Sequence, residues 1–208
     1  MRAPLAVFLS LTLLCGVVYP ALVTLGAEVL FPGAAHGSVI LQDGRARGSS
    51  LIGQSFDRPE FFWGRLSATA PVPYSPFDPA GSNGSTGSNF GPLHPGLVAA
   101  AQARIDALRT AERALGVAER PVPIDLVTSS GSGLDPHLSP AAAEYQVERV
   151  AKARGAAPAR VRELVRAHTE GRALGILGEP VVHVLELNLA LERELPAGGT
   201  DARAPTRR

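Results

Sequence analysis

The sequence holds one cysteine and one lysine in 208 residues, and each scarcity excludes classes of function. The single cysteine, Cys15, leaves no intrachain disulfide framework and no cysteine-based zinc site. The only lysine, Lys152, lies outside any Gly-x-x-x-x-Gly-Lys-Ser/Thr sequence, so a P-loop is missing. The aspartyl-phosphate sequence of P-type ATPases is missing as well. We therefore expect no ATP hydrolysis by this chain alone.

Charge and aromatic content are also low. Lys and Arg total 20 against 19 Asp and Glu, and a net charge of +1 argues against a nucleic-acid partner. Seven Phe, three Tyr and one Trp leave the core to Ala, Val, Leu and Ile. Hydrophobic residues still make up 45% of the chain, which excludes general disorder. The 22 Gly and 18 Pro predict long irregular segments.

A long hydrophobic run opens the chain. Residues 3–27 carry no charge, and a helix of that length spans ~37 Å, enough to cross a hydrocarbon core of ~30 Å. A cleaved signal peptide has a shorter apolar region and a small-x-small cleavage site, whereas Leu25-Gly26-Ala27 starts with leucine. A lipoprotein site at Cys15 would need a small residue where Leu14 stands. The sequence therefore predicts a retained transmembrane anchor over residues 1–30.

Charges near the ends of this run predict its orientation. The α-amine and Arg2 precede the run, and no Lys or Arg follows until Arg45. The positive-inside rule then places the N-terminus in the cytoplasm and the remaining chain outside, with membrane lipid around the anchor. Thr12 and Gly16 are spaced i, i+4 and offer a narrow face for another helix, although small residues are common in membrane helices.

The remaining chain predicts an α+β (mixed α/β) extracytoplasmic domain over residues 31–195. Within it, the Gly/Pro/Ser-rich residues 71–95 predict a long loop, and residues 196–208 predict a disordered tail. Apolar spacing predicts a helix over 96–115, and Ser139 as N-cap with Pro140 begins another that ends at Gly155. Pro158 opens a further helix. Residues 48–68 are predicted as strand and turn, residues 122–128 as a strand, and residues 181–191 as a strand or strand-like apolar segment.

A Ser/Gly-rich run over residues 129–139 admits three interpretations. A hydrolase would use Ser132, His137 and Asp135, but a Gly-x-Ser-x-Gly nucleophile elbow is missing and the three residues are crowded. An anion site would use free backbone N–H groups before a helix. A turn-rich connector, or a surface that a partner docks on, needs only small residues and local hydrogen bonds. The residues concerned are Ser129, Ser132, Gly133, Asp135 and His137.

Two other sets of polar residues have weaker patterns. A metal set could be imagined from scattered carboxylates and imidazoles, but the His-Glu-x-x-His spacing is missing and His168 lies on an apolar stripe, which favours a hydrogen-bonded structural histidine. The amide of Gln146 could contact an adenine edge or a ribose, or it could be solvated or bonded locally. The set considered is His168, Glu170, Glu179 and His183.

Several ordered blocks together resemble the C subunits of Kdp-type potassium-transporting ATPases. The resemblance runs from the membrane helix to about Leu191, and Leu66, His94, Val181 and His183 depart from the family pattern. The blocks are Leu51-Ile52-Gly53-Gln54-Ser55-Phe56, Phe62-Trp63-Gly64-Arg65-Leu66-Ser67-Ala68, residues 121–140, residues 146–155, His168-Thr169-Glu170-Gly171-Arg172, Gly178-Glu179-Pro180 and Leu185-Glu186-Leu187-Asn188-Leu189-Ala190-Leu191.

The resemblance implies a non-catalytic accessory subunit of an ATP-driven, high-affinity potassium importer in the inner membrane. The implied partners are a channel-like potassium-binding subunit, a P-type ATPase catalytic subunit and a small single-span peptide. The implied roles are complex assembly and help with ATP binding by the catalytic subunit, so ATP would be shared rather than firmly bound. The second role conflicts with the predicted topology, since ATP is cytoplasmic. The alternative is a membrane-anchored extracytoplasmic serine hydrolase.

Overall fold

The computed structural model describes residues 2–75 and 84–197. The chain divides into two compact units at residue 51, an N-terminal unit and a larger C-terminal unit. The predicted disorder of residues 196–208 lies almost wholly outside the described residues, as does the middle of the predicted loop at 71–95. The described parts of that loop, residues 71–75 and 84–94, contain no helix or strand, as predicted.

The N-terminal unit begins with one long apolar helix. It comprises α1 (Arg2–Leu13), a π turn (Leu14–Val18) and α2 (Tyr19–Leu30). The whole run Arg2–Leu30 has 29 residues and a mean hydropathy of 2.2 over its best window, and none of that window is buried. It is the one described helix long and apolar enough to cross a membrane. The predicted long apolar N-terminal helix is therefore confirmed, and its retention as a membrane anchor stays a prediction.

The π turn has a local cause. Pro20 has no N–H to donate to the carbonyl of Gly16, and the Tyr19 N–H instead reaches back five residues to the carbonyl of Leu14. The i, i+4 relation predicted for Thr12 and Gly16 crosses this wider turn, so the two residues do not keep the spacing of a regular α-helix. A Cβ at Gly16 would meet nothing within 4 Å, so no intrachain contact requires glycine there.

A hairpin follows the helix in the same unit. After α3 (Pro32–Ala35), strands β1 (Val39–Gln42) and β2 (Arg45–Ser49) pair in antiparallel fashion. Asp43 and Gly44 form the two-residue turn with φ of +53° and +72°, the left-handed pair that Asp-Gly favours. Of the strand and turn predicted over residues 48–68, the strand part is confined to the end of β2, and residues 53–65 form neither helix nor strand.

The C-terminal unit is a mixture of helices and one small sheet, which confirms the mixed helix and sheet class. Its helices are α4 (Pro95–Ala114), α5 (Ile124–Val127), α6 (Pro140–Arg154), α7 (Pro158–Ala167) and α8 (Val184–Glu194). Its strands are β3 (His137–Leu138), β4 (Thr169–Glu170) and β5 (Val181–His183), all antiparallel, with β5 in the centre.

Three of these helices begin within one residue of the predicted start. The Ser139 hydroxyl accepts a hydrogen bond from the N–H of Ala142, and Gly155 ends α6 with a φ of +65°. Pro158 opens α7, and α4 begins one residue before the predicted start. Proline fits a first helical turn, since the N–H it lacks would have no intrahelical partner there.

Two predicted strands are helical instead. Residues 122–128 contain the single turn α5, because Pro123 begins it and the Thr128 hydroxyl bonds back to the carbonyl of Ile124. Residues 181–191 begin as β5 but turn into α8 at Val184. The His183 ring caps this helix by accepting from the N–H of Glu186. Short apolar runs do not distinguish a strand from a buried helix by periodicity alone.

The core of this unit surrounds α6. That helix buries residues on most of its circumference, and α7, α8 and β5 pack against it with α4 and α5. As predicted, aliphatic residues dominate the core, and aromatic side chains enter chiefly from the irregular segment before residue 65. The completely buried hydrophobic members are Phe62, Leu108, Leu126, Ala142, Ala143, Val147, Val150, Ala151, Val161, Val182, Leu187 and Leu191.

Candidate functional site

The Ser/Gly run at 129–139 is an ordered connector between α5 and α6. Its side chains bond to its own backbone: the Ser130 hydroxyl accepts from Gly133 N at 2.9 Å, and the Ser132 hydroxyl accepts from Leu134 N at 3.1 Å. Asp135 Oδ1 accepts from His137 N at 3.0 Å. Such short-range bonds are those of Asx and Ser turns. The local geometry matches the turn-rich connector among the three interpretations.

Three other irregular segments meet this connector. Gly53 N donates to the Leu134 carbonyl at 2.8 Å, and Ser130 N donates to the Leu66 carbonyl at 3.1 Å. The Ser132 carbonyl accepts from Thr86 N at 2.8 Å, which ties in the segment after residue 84. The connector therefore holds together parts of the chain that carry little regular structure of their own, including both of the upstream blocks that carried the family resemblance.

Gly133 makes the closest of these approaches. Its φ is +68°, and an added Cβ would lie 2.5 Å from the Thr86 carbonyl oxygen and 2.7 Å from Thr69 Cγ2. Two more glycines lie at close contacts with the same connector. A Cβ at Gly53 would lie 2.6 Å from the Asp135 carbonyl oxygen, and one at Gly87 would lie 3.0 Å from the Gly131 carbonyl oxygen. Small residues here allow backbone to meet backbone within the chain.

The charged end of the connector is a partly buried cluster. Arg65 Nη1 lies 3.2 Å from Asp135 Oδ2, and Arg65 Nη2 donates to the Ser129 carbonyl. His137 Nδ1 lies 3.6 Å from Asp135 Oδ1, and its ring meets the His183 ring edge-on with centroids 5.4 Å apart. The two histidines face each other because they are paired residues of β3 and β5.

The hydrolase interpretation finds no triad in this geometry. The Ser132 hydroxyl is bonded to Leu134 N, and no hydrogen bond joins it to His137 within residues 84–197. A nucleophile needs its base within hydrogen-bond reach, with the base oriented by a third group. Asp135 lies beside His137, but its carboxylate also binds Arg65 and its own turn. The alternative function is not favoured.

Tyr74 packs beside this cluster and bonds to its arginine. Its hydroxyl donates to the Arg65 carbonyl at 2.9 Å, and its ring fills the space left by two glycines. A Cβ at Gly53 or at Gly64 would lie 2.6 Å from an atom of this tyrosine. Burial, reinforced by the nearby Asp135 carboxylate, raises the pKa of Tyr74 to about 12. The phenol is therefore neutral and serves as a hydrogen-bond donor.

Gln146 lies in the interior, fully buried on α6. Its Oε1 accepts from Trp63 N at 2.8 Å and its Nε2 donates to the Trp63 carbonyl at 3.1 Å, so the amide pairs with backbone as a neighbouring strand would. The same Oε1 accepts from Arg149 Nη2 at 2.6 Å. The amide is therefore neither solvated nor bonded only locally, because Trp63 lies 83 residues away, and the predicted nucleotide contact stays a prediction.

Asn188 on α8 repeats this arrangement one residue away. Its Oδ1 accepts from Phe62 N at 2.8 Å and its Nδ2 donates to the Phe62 carbonyl at 2.9 Å. We call residues 59–66, which these amides grip, the clamped segment. Sequence reasoning missed the role of Asn188. The sequence feature that could have identified Asn188 is a single amide among the leucines of residues 185–191, on the face that α8 buries.

Arginines complete the clamp. Arg149 donates to the carbonyls of Pro59 and Phe61, Arg154 donates to that of Glu60 at 2.7 Å, and Arg104 donates to that of Gly64 at 2.6 Å. With Tyr74 on Arg65 and Ser130 N on Leu66, every carbonyl of the clamped segment accepts a bond. The guanidinium of Arg149 also lies 4.6 Å from the Trp63 ring centre, and burial lowers the pKa of both Arg104 and Arg149 to about 10.

The remaining predicted residues have other contacts, and among them the His183 ring also meets the His137 ring of the connector. His168 Nδ1 is 2.9 Å from the Leu164 carbonyl oxygen, which confirms a hydrogen-bonded structural histidine. Glu179 is paired with Arg172, and His183 caps α8. Among the residues that the structure describes, no three His, Cys, Asp or Glu side chains lie together as metal ligands would.

Comparison with known proteins places this chain in a family. The model of the K+-transporting ATPase c chain, KdpC, matches residues 1–193, which include both the apolar helix and the C-terminal unit.

Proteins named potassium-transporting ATPase KdpC subunit are similar over 92% of this chain. One from Herpetosiphon aurantiacus is 58% identical over 95% of its own length, and one from Sorangium cellulosum is 57% identical over 96%. One from Burkholderia cenocepacia is 56% identical over 94%. The resemblance drawn from the sequence blocks is confirmed, and this chain belongs to the KdpC family, the c chains of potassium-transporting ATPases.

Proposed function

We propose that this chain is the non-catalytic accessory subunit of an ATP-driven, high-affinity potassium importer and that it stabilises the assembled complex. The observation that carries the proposal is the family match over residues 1–193, since it covers the hydrophobic anchor and the folded unit together. The polar groups of the Ser/Gly connector support it, because they are engaged in bonds within the chain rather than arranged around a substrate.

The partners we propose are those implied by the family resemblance. They are a channel-like potassium-binding subunit, a P-type ATPase catalytic subunit and a small single-span peptide, with membrane lipid around the helix Arg2–Leu30. We propose Thr12 and Gly16 as a place for one of these membrane partners to pack despite the wider turn between them, since α1 buries no residue and a Cβ at Gly16 would meet nothing within 4 Å. No nucleic-acid partner is proposed for a chain of net charge +1.

We infer an extracytoplasmic position for the C-terminal unit from charge. Arg2 and the α-amine precede the helix, and the residues between its end and Arg45 carry no Lys or Arg. The membrane is then the inner membrane of a prokaryote, with the N-terminus in the cytoplasm. In this topology the unit and cytoplasmic ATP lie on opposite sides of the membrane.

A contribution to ATP binding by the catalytic subunit is the second role we propose, and it would act indirectly. A direct contact through Gln146 would require its amide to leave Trp63 and Arg149 inside the core. Accessory contact with the catalytic subunit requires no such opening. A Gln146→Ala complex whose KM for ATP changes at unchanged complex yield would support the direct contact instead.

Growth under potassium limitation tests the accessory role. The gene for the chain is deleted in a strain that depends on this transporter. The strain then receives a vector that encodes the wild-type chain or an empty vector. We expect growth at low potassium, and the membrane content of the other subunits, to return only with the chain. Full growth and full subunit content without the chain would contradict the proposal.

A further inference from the structure

The segment from Arg172 to Glu179 forms a short turn that projects from the C-terminal unit, and we call it the 172–179 turn. Ala173 and Leu177 bridge it with two backbone hydrogen bonds, Ala173 N to the Leu177 carbonyl at 2.8 Å and Leu177 N to the Ala173 carbonyl at 2.9 Å. At its base Arg172 Nη2 lies 2.8 Å from both carboxylate oxygens of Glu179. The turn therefore has a fixed shape.

Its tip is aliphatic and exposed. Leu174 is 90% exposed, Ile176 74% and Leu177 59%. Three large aliphatic side chains within four residues are unusual on the surface of a soluble unit, where single exposed apolar residues are the norm. Burying them would remove apolar surface from water, and nothing in the described part of the chain does so.

The backbone at the tip is strained in a way that gains nothing for the chain itself. Leu174 has a φ of +54° and Gly175 a φ of +77°, the pair of left-handed residues that type I′ turns need. Such positions favour Asn, Asp or Gly, and a leucine there costs about 1–2 kcal/mol. The Leu174 side chain recovers no burial in return, because it points into solvent.

We propose that the 172–179 turn docks into an apolar pocket on another subunit of the transporter, with Leu174, Ile176 and Leu177 as its anchors. The proposal rests on the proposed function, since it names the surface by which an accessory subunit is held. A strained and exposed leucine has a physical reason when the contact of its side chain lies on another subunit. Side chains that fill a well-packed, water-free pocket carry most of the binding energy of an interface, and burying aliphatic surface there is favourable.

Charge favours a protein partner over a lipid surface. Arg172 is the only cationic residue between residues 169 and 180, and both oxygens of Glu179 neutralise it. Glu170 beside the turn is exposed and acidic, which opposes an anionic membrane surface. Membrane-binding tips combine apolar side chains with free Lys or Arg and often with Trp, and none of these stands in the turn. Its fixed shape suits a pocket of matching shape.

The test extracts the full complex in mild detergent and purifies it through a tag on this chain. Leu174→Asn relieves the strain at a left-handed position and removes an anchor, so the purified chain should unfold at an equal or higher temperature while the other subunits recovered with it fall by about tenfold. The double variant Ile176→Ser, Leu177→Ser should lose partners to a similar extent. Ile124→Ser is the matched control, since Ile124 is 77% exposed elsewhere on the unit.

The outcomes separate the two proposals. Docking by the turn is supported if the wild-type chain and Ile124→Ser recover the other subunits while both turn variants lose them. Recovery of partners by both turn variants at the wild-type level overturns it while leaving the accessory role intact. Normal recovery combined with weaker binding of the turn variants to phospholipid vesicles also overturns it, in favour of lipid. Failure of the wild-type chain to recover any subunit defeats the accessory role itself.

Discussion

At the scale of single residues, side chains in this protein replace a β-ladder. The clamped segment at 59–66 has no neighbouring strand along most of its length, and amides, guanidinium groups and a phenol bond its carbonyls instead. Buried backbone groups must be paired, and here the pairing comes from three helices. The excess of 19 arginines over one lysine suits this task, because a guanidinium has several fixed donors and an ammonium does not.

Removing the amide of Gln146 should destabilise the chain. Gln146→Leu would leave Trp63 N and its carbonyl buried without partners and take an acceptor from Arg149, so we expect a loss of about 2–5 kcal/mol in the free energy of unfolding. Denaturant unfolding of the purified full chain measures this. Gln102→Leu is the control, since Gln102 is exposed on α4 and bonds only Asp106. Equal stability of the two variants would contradict the clamp.

Alanine substitution of two nearby glycines of the connector, Gly131 and Gly133, should have very different effects on stability. Gly133→Ala places a Cβ against the Thr86 carbonyl at a φ of +68°, whereas Gly131→Ala meets nothing within 4 Å. We expect Gly133→Ala to lower the free energy of unfolding by about 2 kcal/mol or more, and Gly131→Ala to change it by less than about 1 kcal/mol. The same unfolding measurement decides it. A Gly133→Ala chain as stable as Gly131→Ala would show that the close approach is unimportant.

Ser132 has a much smaller part in the connector. Ser132→Ala removes one acceptor for Leu134 N on a partly exposed turn, and we expect a cost of about 1 kcal/mol and normal growth under potassium limitation. Growth and complex yield are measured in parallel. A Ser132→Ala strain that fails to grow at normal complex yield would restore a chemical role for this hydroxyl.

At the scale of elements, the sequence predicted well wherever an element had a marked beginning. Ser139 and Pro140 defined the start of α6, Gly155 its end, and Pro158 the start of α7. The runs at 122–128 and 181–191 were assigned from their apolar content alone, and their helical parts were misassigned as strands although Pro123 precedes α5 and His183 caps α8. The buried side chains of the second run fit one face of a helix.

The candidate site was predicted less well than the helices, for a physical reason. The connector residues and Gln146 were identified, but Arg65, the partner of Asp135, lies 70 residues away and Trp63, the partner of Gln146, lies 83 residues away, both in an irregular segment for which periodicity predicts no position. Local turn chemistry indicates that Ser130 and Asp135 bond nearby backbone. It does not indicate which distant carbonyl a buried glutamine or arginine meets.

The cap of α6 should contribute measurably, since this helix forms the centre of the core. Ser139→Ala removes the acceptor for Ala142 N and should lower the free energy of unfolding by about 1 kcal/mol. Ser139→Asn keeps an acceptor at the N-cap and should restore most of it. Thermal unfolding of the full chain compares the three proteins. An alanine variant that unfolds with the wild type would contradict the capping role.

At the scale of the whole molecule, the apolar helix and the folded unit belong to one family match, and the proposed topology places the unit on the extracytoplasmic side of the inner membrane. Leu93 is 97% exposed, so Leu93→Cys in a Cys15→Ser background gives one accessible thiol. We expect an impermeant thiol reagent to label this variant without opening the inner membrane. Labelling that requires a permeabilised inner membrane would reverse the topology, and the Cys15→Ser chain alone is the control.

The most direct test of the central claim is purification of the tagged full chain from membranes of cells that express the whole transporter. We predict that the eluate contains the large potassium-binding and catalytic subunits and hydrolyses ATP in a potassium-stimulated manner, while the chain expressed alone hydrolyses nothing. Elution of the chain without those subunits, or hydrolysis of ATP or of simple esters by the chain alone, would contradict an accessory, non-catalytic role.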